Sequence, residues 1–516
     1  MDSSTRSVPR AEDDAGPAPD AAVTAATIAE NDTRTPSKWS RMEKMSHLEV
    51  DTEILRGVSL RATLRSFGRL WRQSPIDLAE EDRAGLWDRS EPVEAFDIFL
   101  SHTWRTPGRW KVLSLLFQSG LWFTLLCTVI CVATTVTLCL TQVIPMPFTF
   151  LASHPRFSEE CPYSPWPSVA GLVGTLFGLF LSPYFLDGCD KTICFLDVVS
   201  IHQVDRDLME RGIYGLGGFL RMSKELRVLW SEPYLSRLWC VFELAAYRHA
   251  NPTGRIRLTP VFIEVGLLSL ILGSYFAAFL FFAVFAARVV LALRPVAFAI
   301  ALVPVYVLMH AMRVNTRAKH RLISELRGFD LNQASCRTDF DKEFIYSAIR
   351  EWYGSTEAFT EYVRGPLREE MLGSDELRLQ FPLPYLLLAS TCPISASLNT
   401  LAALWVAGAP AVVVATEFMA FTLGFYSFWF LPMTKLAIYL CDRFAAPRWS
   451  GCCMDYLQTG LIFLCFFALY YAGDTAAMAV TQVGVWASSA WLLFSMLLCW
   501  VCCFGGWERL GRLTEL

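Results

Sequence analysis

The chain has 516 residues, of which 53% are hydrophobic and 18% are charged, and its formal net charge is −4. This composition is too apolar for an ordinary soluble chain of that length. It indicates a polytopic membrane protein whose spans contact membrane lipid. We expect no nucleic-acid partner.

The N-terminal part of the chain divides into two segments. Residues 1–51 are rich in Ala, Pro, Ser and Thr and lack an apolar run, which predicts a disordered tail without a secretory signal. Residues 52–92 are predicted to be a basic, helical segment next to the membrane. Within it Leu60 and Leu64 recur at helical spacing beside Arg61 and Arg65. Such a helix suits anionic headgroups and also suits packing on a soluble domain, so both interpretations stay open.

Apolar windows of about 20 residues, the length that crosses a bilayer, predict eight membrane-spanning helices. The eight spans group into four hairpins. Their connections are predicted near Arg156, at residues 288–294, at residues 408–410 and at Asp474. The hairpins occupy residues 112–186, 264–312, 379–441 and 454–507.

The distribution of basic residues predicts the orientation of the chain. Of the 45 Lys and Arg residues, only Arg156, Arg288 and Arg294 lie in the four connections, and the other 42 lie on the opposite face. The positive-inside rule assigns that opposite face to the cytoplasm. Both termini are therefore expected to be cytoplasmic.

The soluble sequence is split by the first hairpin into residues 93–111 and 187–263, and a cytoplasmic helical segment follows at 313–378. Short apolar runs predict strands at residues 95–100, 193–196, 227–230 and 256–263. Helical spacing predicts helices at residues 212–222 and 238–247. Strands that alternate with helices predict an α/β domain with a parallel sheet covered on both faces.

Polar residues follow the first three predicted strands. Because ligands in such sheets bind at the carboxyl ends of the strands, we expect these residues to converge in one cleft that serves recognition or acid–base chemistry. The spacing of its histidines matches no familiar metal pattern, so no metal is expected. The cleft residues are Ser101, His102, Asp197, His202, Gln203, Trp239 and Glu243.

Four motifs at these positions resemble the Toll/interleukin-1 receptor (TIR) domain superfamily, including its heterokaryon-incompatibility-like and protist relatives. Residues 96–101 (FDIFLS) look like the first-strand signature of the superfamily, and residues 196–205 (LDVVSIHQVD) look like its sequence motif around the second strand. Residues 234–244 (YLSRLWCVFEL) are similar to the plant-type helix, and residues 260–262 to the strand after it. The resemblance implies a TIR-like, flavodoxin-like domain interrupted by a membrane hairpin.

The resemblance also implies an activity. In the enzymatic members, the glutamate of the Trp-Cys helix cleaves the nicotinamide–ribose bond of NAD⁺, and the matching residue here is Glu243. NAD⁺ would be the substrate, held by the other cleft residues, with no cofactor. A carboxylate suits this chemistry because it stabilises a ribosyl cation. In the structural alternative, Glu243 pairs with Arg237 or Arg248 on a helix surface, and Asp197 holds a loop through backbone N–H groups.

Three further expectations follow. Because NAD⁺ cleavage in the family usually requires association of domains, we expect a homo-oligomer. Because the chain enters the membrane after the fourth strand, we expect residues 315–370 to supply the final strand and helix of the domain. Two other functions stay open: a non-catalytic signalling scaffold, and transport through the spans, with Glu417 as an isolated acid inside them.

Overall fold

The computed structural model describes residues 42, 45, 47–72, 74–152, 154–188, 191–287, 294–373, 381–446 and 452–503. Most of the predicted tail at 1–51, and the connection at 288–293, lie outside these residues. The end of the tail lies inside them. His47 is buried, and its ring centroid is 4.7 Å from that of Phe344. The prediction of a disordered segment is therefore wrong for its last residues, which pack on the soluble domain.

The soluble domain is built on one six-stranded mixed sheet with the order β2-β1-β6-β3-β7-β8. Strands β3, β6, β7 and β8 are parallel, and β1 runs antiparallel to β6 and β2. Taken in chain order, the four parallel strands lie 2-1-3-4, as in flavodoxin-like doubly wound sheets. The strands are β1 Arg56–Ser59, β2 Glu91–Pro92, β3 Phe96–Ser101, β6 Ile193–Phe195, β7 Ser223–Val228 and β8 Arg255–Leu258, while β4 Phe148–Leu151 and β5 Glu160–Tyr163 form a separate hairpin.

The sequence predicted the central strands better than the edges of the sheet. Strand β8 ends at Leu258, so the prediction of a strand up to residue 263 is wrong, because residues from Val261 onward already belong to an apolar helix. Strands β1 and β2 were not predicted. They show that the segment at 52–92 is part of the sheet as well as helical.

Nine helices among the described residues belong to the soluble domain. The helix Asp339–Tyr353 (α11) packs on the helix Leu238–Ala250 (α8), since Tyr353 Oη donates to the carbonyl oxygen of Ala245 at 3.0 Å. Residues 315–370 therefore supply a helix, but not the predicted strand: Ser335 makes a single β-bridge with Arg237. The helices are α1 Leu60–Arg72, α2 Glu80–Trp87, α5 Asp197–Ser200, α6 Arg206–Tyr214, α7 Leu216–Arg221, α8 Leu238–Ala250, α11 Asp339–Tyr353, α12 Thr356–Tyr362 and α13 Arg368–Leu372.

Helix α1 packs on the soluble domain, which decides between the two interpretations of its sequence. Leu60, Leu64 and Trp71 are buried in the domain core. The helix is interrupted between residues 65 and 68, where Phe67 turns outward and is 64% exposed. Arg65 pairs with Asp187 at 2.7 Å, so this basic side chain anchors the end of the first hairpin.

Eight helices in the described chain are long and apolar enough to cross a membrane, which fits a multi-pass membrane protein. The helices Ala411–Glu417 (α15) and Phe430–Arg443 (α16) are joined through the π-helical stretch Phe418–Trp429 into one continuous span. The predicted connection at 408–410 is confirmed. The membrane-length helices are α3 Gly108–Leu140, α4 Trp166–Phe185, α9 Val261–Ala286, α10 Arg294–Arg327, α14 Leu383–Val406, α15 Ala411–Glu417 with α16 Phe430–Arg443, α17 Cys452–Val483 and α18 Val485–Cys503.

The predicted connection at Asp474 is wrong. Helix α17 continues through Asp474 to Val483, and the chain turns at Gly484, whose φ of +128° favours glycine. A lone charge in an apolar run looks like the end of a span, but a helix keeps such a residue when it faces a cavity. Asp474 is therefore an acid inside a membrane-length helix.

The sheet and the apolar helices share one hydrophobic core. The first turns of α3 are buried in it through Val112, Leu115 and Phe117, together with Phe99 of the sheet. The helix that follows β3 is thus continuous with the first span, as its sequence predicts. This continuity places the start of a membrane-length helix directly beside the carboxyl edge of the sheet.

Candidate functional site

Six of the seven predicted cleft residues come together at the carboxyl edge of the sheet. Five of them line a cavity of about 70 Å³, and the sixth, Ser101, ends β3 beside it. A cavity of this size holds roughly five water molecules. The five lining residues are His102, Asp197, Gln203, Trp239 and Glu243.

Glu243 is held by the end of the central strand. It lies on α8, and its Oε2 accepts a hydrogen bond from Ser101 Oγ, which also bonds with the hydroxyl of Tyr234. The carboxyl group faces the cavity but is otherwise enclosed by protein. This burial raises the pKa of Glu243 to about 8; the bond from Ser101 opposes the shift, and the charge of Asp197 adds to it. Glu243 is thus not a surface residue, and Arg248 pairs with Glu370 instead.

Asp197 begins the short helix α5 directly after β6. Its carboxylate accepts hydrogen bonds from Trp104 Nε1 at 2.7 Å and from the backbone N–H of Val198 at 2.8 Å, and it lies 3.5 Å from His102 Nε2. Burial opposes its ionisation, but His102 and these two donors outweigh burial and lower the pKa of Asp197. Asp197 therefore both holds its loop and faces the cavity as an anion.

His102 is a buried imidazole between an acid and a base. Its side chain is 2% exposed, and its Nδ1 lies 3.3 Å from Lys111 Nζ. Burial lowers the pKa of His102, and the charge of Lys111 lowers it further, while Asp197 works in the opposite direction. The lowered pKa favours the neutral ring, in which one nitrogen donates and the other accepts.

Gln203 and Trp239 shape the walls of the cavity. The amide nitrogen of Gln203 donates to the carbonyl oxygens of Asp197 at 3.2 Å and Ile201 at 2.7 Å, which fixes the loop after β6. The indole of Trp239 packs in an aromatic cluster, with ring centroids 5.5 Å from Phe242 and 6.3 Å from Phe344. Both residues line the site and also hold its frame.

The structure does not bring His202 to the cavity. Its Nδ1 accepts a hydrogen bond from the backbone N–H of Asp205 at 2.8 Å, and its ring centroid lies 5.3 Å from that of Trp87. The ring points away because the loop after β6 turns between residues 202 and 205. His202 stabilises this turn and packs against α2.

Sequence reasoning missed Lys111, whose fully buried amino group lies at the back of the site. Its Nζ lies 4.9 Å from the centre of the Trp104 ring, within range of a cation–π interaction. In the sequence, Lys111 is the last charge before the first span and looks like an interfacial anchor. The signal that could have found it is the continuity of α3 with β3, which brings residue 111 back to the strand end.

The site thus combines two acids whose pKa values shift in opposite directions with an imidazole, the buried amino group of Lys111 and the guanidinium of Arg237, which also lines the cavity. Such pairs of acids are typical of sites that perform acid–base or charge-stabilising chemistry. No protein-family model matches this chain, and no curated protein or solved structure matches it.

Proposed function

We propose that the chain is a multi-pass membrane protein whose TIR-like α/β domain cleaves NAD⁺, with Glu243 as the catalytic carboxylate. The observation that carries the proposal is the position of Glu243. A carboxyl group from α8, hydrogen-bonded by Ser101 at the end of the central strand, faces a cavity that it shares with Asp197 and His102. The asymmetry of the basic residues supports a cytoplasmic location for this domain and for both termini.

The proposed reaction is hydrolysis of the bond between nicotinamide and ribose. The electron pair of that bond leaves with neutral nicotinamide, water adds to the ribosyl cation, and one proton is released with ADP-ribose. The Glu243 carboxylate stabilises the cation as it forms, as in glycoside hydrolysis. Glu243 is ionised above about pH 8, so kcat/KM for NAD⁺ should rise with pH up to that value.

The remaining residues have supporting roles in the proposal. Asp197, kept anionic by Trp104 and Val198, adds negative charge to the cavity. Arg237 lines the cavity and offers a planar guanidinium, which suits a phosphate or carboxamide oxygen. In this role Asp197 and Arg237 position the substrate, while Glu243 acts at the reacting carbon.

Self-association is part of the proposal. A cavity of about 70 Å³ is far smaller than a dinucleotide, so the site must open or be completed before NAD⁺ binds. A second copy that contributes its edge would do this, and confinement to a membrane raises the local concentration of domains. Copies that carry different tags should co-purify in mild detergent, and clean separation would count against this part.

The test is turnover by the purified full chain in detergent, followed as NAD⁺ loss and nicotinamide release. We expect Glu243→Gln to lower turnover at least about a hundredfold, in the range seen when a charge-stabilising group is removed. The matched control is Glu361→Gln, because Glu361 is an exposed glutamate on α12 of the same domain. Size-exclusion profiles show whether each variant is folded.

A second function, a non-catalytic signalling scaffold, is favoured by the small size of the cavity. The Asp197 carboxylate also accepts a backbone hydrogen bond within its own loop, and the Gln203 amide donates one there. Both side chains therefore stabilise the loop. A folded, self-associated wild type without NAD⁺ turnover would support the scaffold and overturn the enzyme. Full turnover in Glu243→Gln would remove this glutamate from the mechanism.

A further inference from the structure

A second and larger cavity lies between the membrane-length helices. It encloses about 460 Å³ and is lined by residues of α9, α10, α14, α17 and the continuous α15–α16 span. Along α17 its lining residues run from Phe463 to Met478, which corresponds to about 22 Å of helix. The cavity therefore extends through a large part of the bundle, and it is separate from the site at the edge of the sheet.

Two acids line this cavity. Glu417 ends α15, Asp474 lies within α17, and the two carboxyl groups interact electrostatically. No Lys, Arg or His is among the described residues that line the cavity. The expectation that Glu417 is isolated is therefore corrected: it has an acidic neighbour. An uncompensated pair of acids in an apolar bundle is costly and indicates a functional site.

Unpaired polar atoms point independently to a ligand. The side chain of Asn399 is buried, with the residue 2% exposed, and its Nδ2 donates to Ser168 Oγ at 2.9 Å. Its Oδ1 has no hydrogen-bond partner within the described chain, and the same holds for Thr434 Oγ1. Both residues line the cavity. Buried polar atoms nearly always have a partner, so these two indicate a bound group that donates hydrogen bonds.

The rest of the wall is apolar and rich in aromatic rings. Tyr426 and Tyr470 line it, and the rings of Phe421, Phe463 and Phe467 add apolar surface. Aromatic faces attract cations, especially where water is excluded. The wall thus suits a molecule that carries a positive charge and has an apolar body.

We propose that this cavity binds an organic cation: an ammonium group held by Glu417 and Asp474, on an apolar body that packs against the aromatic rings. A neutral lipid tail would leave the two acids and Asn399 Oδ1 without partners. A bare metal ion would satisfy the acids but leave most of the apolar volume unfilled. An ammonium group with an aromatic or alkyl body suits both the two acids and the apolar rings of the wall.

The experiment is equilibrium binding of radiolabelled 4-phenylbutylammonium to the full chain in nanodiscs at pH 7.5, with competition by unlabelled 4-phenylbutylammonium or 4-phenylbutanol. The alcohol matches the amine in size and carries no charge. We expect saturable binding that the amine displaces at least tenfold better than the alcohol. The double variant Glu417→Gln/Asp474→Asn should weaken binding at least tenfold. The matched control, Glu159→Gln, removes an exposed acid between α3 and α4 and should leave binding unchanged.

A second variant locates the ligand without changing charge. Ala277 is buried on the cavity wall, so Ala277→Trp should fill the cavity and abolish binding while both acids remain. Equal displacement by amine and alcohol, with no effect of the double variant, would reduce the site to an apolar lipid pocket and overturn the proposal. Undiminished binding in a folded Ala277→Trp protein would also overturn it.

Discussion

The two cavities each contain a pair of acids, but they treat those acids differently. In the soluble domain, Glu243 receives a hydrogen bond from Ser101, and Asp197 is surrounded by donors and lies near His102. In the bundle, Glu417 and Asp474 share a cavity whose described lining contains no basic residue. Protein groups donate hydrogen bonds to both acids of the first pair. In our proposal, a ligand compensates the second pair.

The two cavities also differ in volume, and this difference too suggests that they have different functions. The cavity of the domain measures about 70 Å³ and that of the bundle about 460 Å³. A small site in which fixed donors hold two acids is suited to placing a carboxylate beside the positive charge that develops on a reacting carbon. A large apolar site with acids at one part of its wall is suited to holding a complete molecule. A buried carboxylate therefore indicates a function only when its donors and the space beside it are also known.

Among substitutions that leave all four acids in place, the largest effect is expected from Ser101→Ala. The bond from Ser101 holds down the pKa of Glu243 against burial, so its loss should raise that pKa above the present value of about 8. We expect NAD⁺ turnover at pH 7.5 to fall about tenfold or more, because a smaller fraction of Glu243 is ionised. The measurement is kcat/KM against pH.

The pH profile of Ser101→Ala shows whether Ser101 acts on the pKa of Glu243 or only on the fold of the domain. The acid limb of the Ser101→Ala profile should move to higher pH, and part of the lost turnover should return at pH 9. A uniform loss at every pH would mean that Ser101 acts only on the fold. The conservative variant Ser101→Thr keeps a hydroxyl and should retain the wild-type midpoint.

A smaller effect, on stability, tests the ionisation of the two acids without any substrate. The folded pKa of Glu243 is raised from 4.5 to about 8, so between those pH values the folded state holds a proton that the unfolded chain has lost. Stability from this group therefore falls as pH rises through that window. Relative to wild type, Glu243→Gln should gain a few °C in thermal midpoint between pH 5 and pH 8.

Asp197→Asn is the control of opposite sign. The folded pKa of Asp197 lies below its ordinary 3.8, so its contribution is complete above pH 3.8 and is lost only in more acidic solution. Asp197→Asn should thus lower the thermal midpoint by the same amount at pH 5 and at pH 8. Parallel curves for Glu243→Gln and wild type would show that Glu243 is ionised throughout and would remove the basis of the predicted pH profile.

The sequence predicted the centre of the domain and missed its margins for identifiable reasons. Strands β3 and β6 are apolar runs followed by polar residues, which is a strong local signal. Strand β1 is only four residues long and is held by pairing with β6, a partner far away in the chain. The sequence predicted a turn at Asp474 because a local pattern cannot show that Asp474 faces a cavity shared with Glu417.

The same limit applies to the site. Ser101, Asp197 and Glu243 were predictable together because parallel strands bring their carboxyl ends to one edge. Lys111 was not, since its burial depends on where α3 enters the core. The direction of the His202 side chain depends on a four-residue turn in which backbone N–H groups donate to its ring. No periodic sequence pattern predicts these hydrogen bonds. Topology was thus readable from the sequence, while the directions of loop side chains were not.

The smallest effect is expected from His202→Ala, which tests that last distinction. His202 accepts backbone hydrogen bonds and packs on Trp87, outside the cavity. Loss of these contacts should cost about 1 kcal/mol of stability and leave NAD⁺ turnover within about twofold of wild type. His102→Ala, a change of the same residue type inside the cavity, should by contrast lower turnover. Equal losses of turnover in both variants would mean that the loop after β6 rearranges when substrate binds and brings His202 into the cavity. The sequence-based prediction that His202 belongs to the cleft would then describe the substrate-bound form.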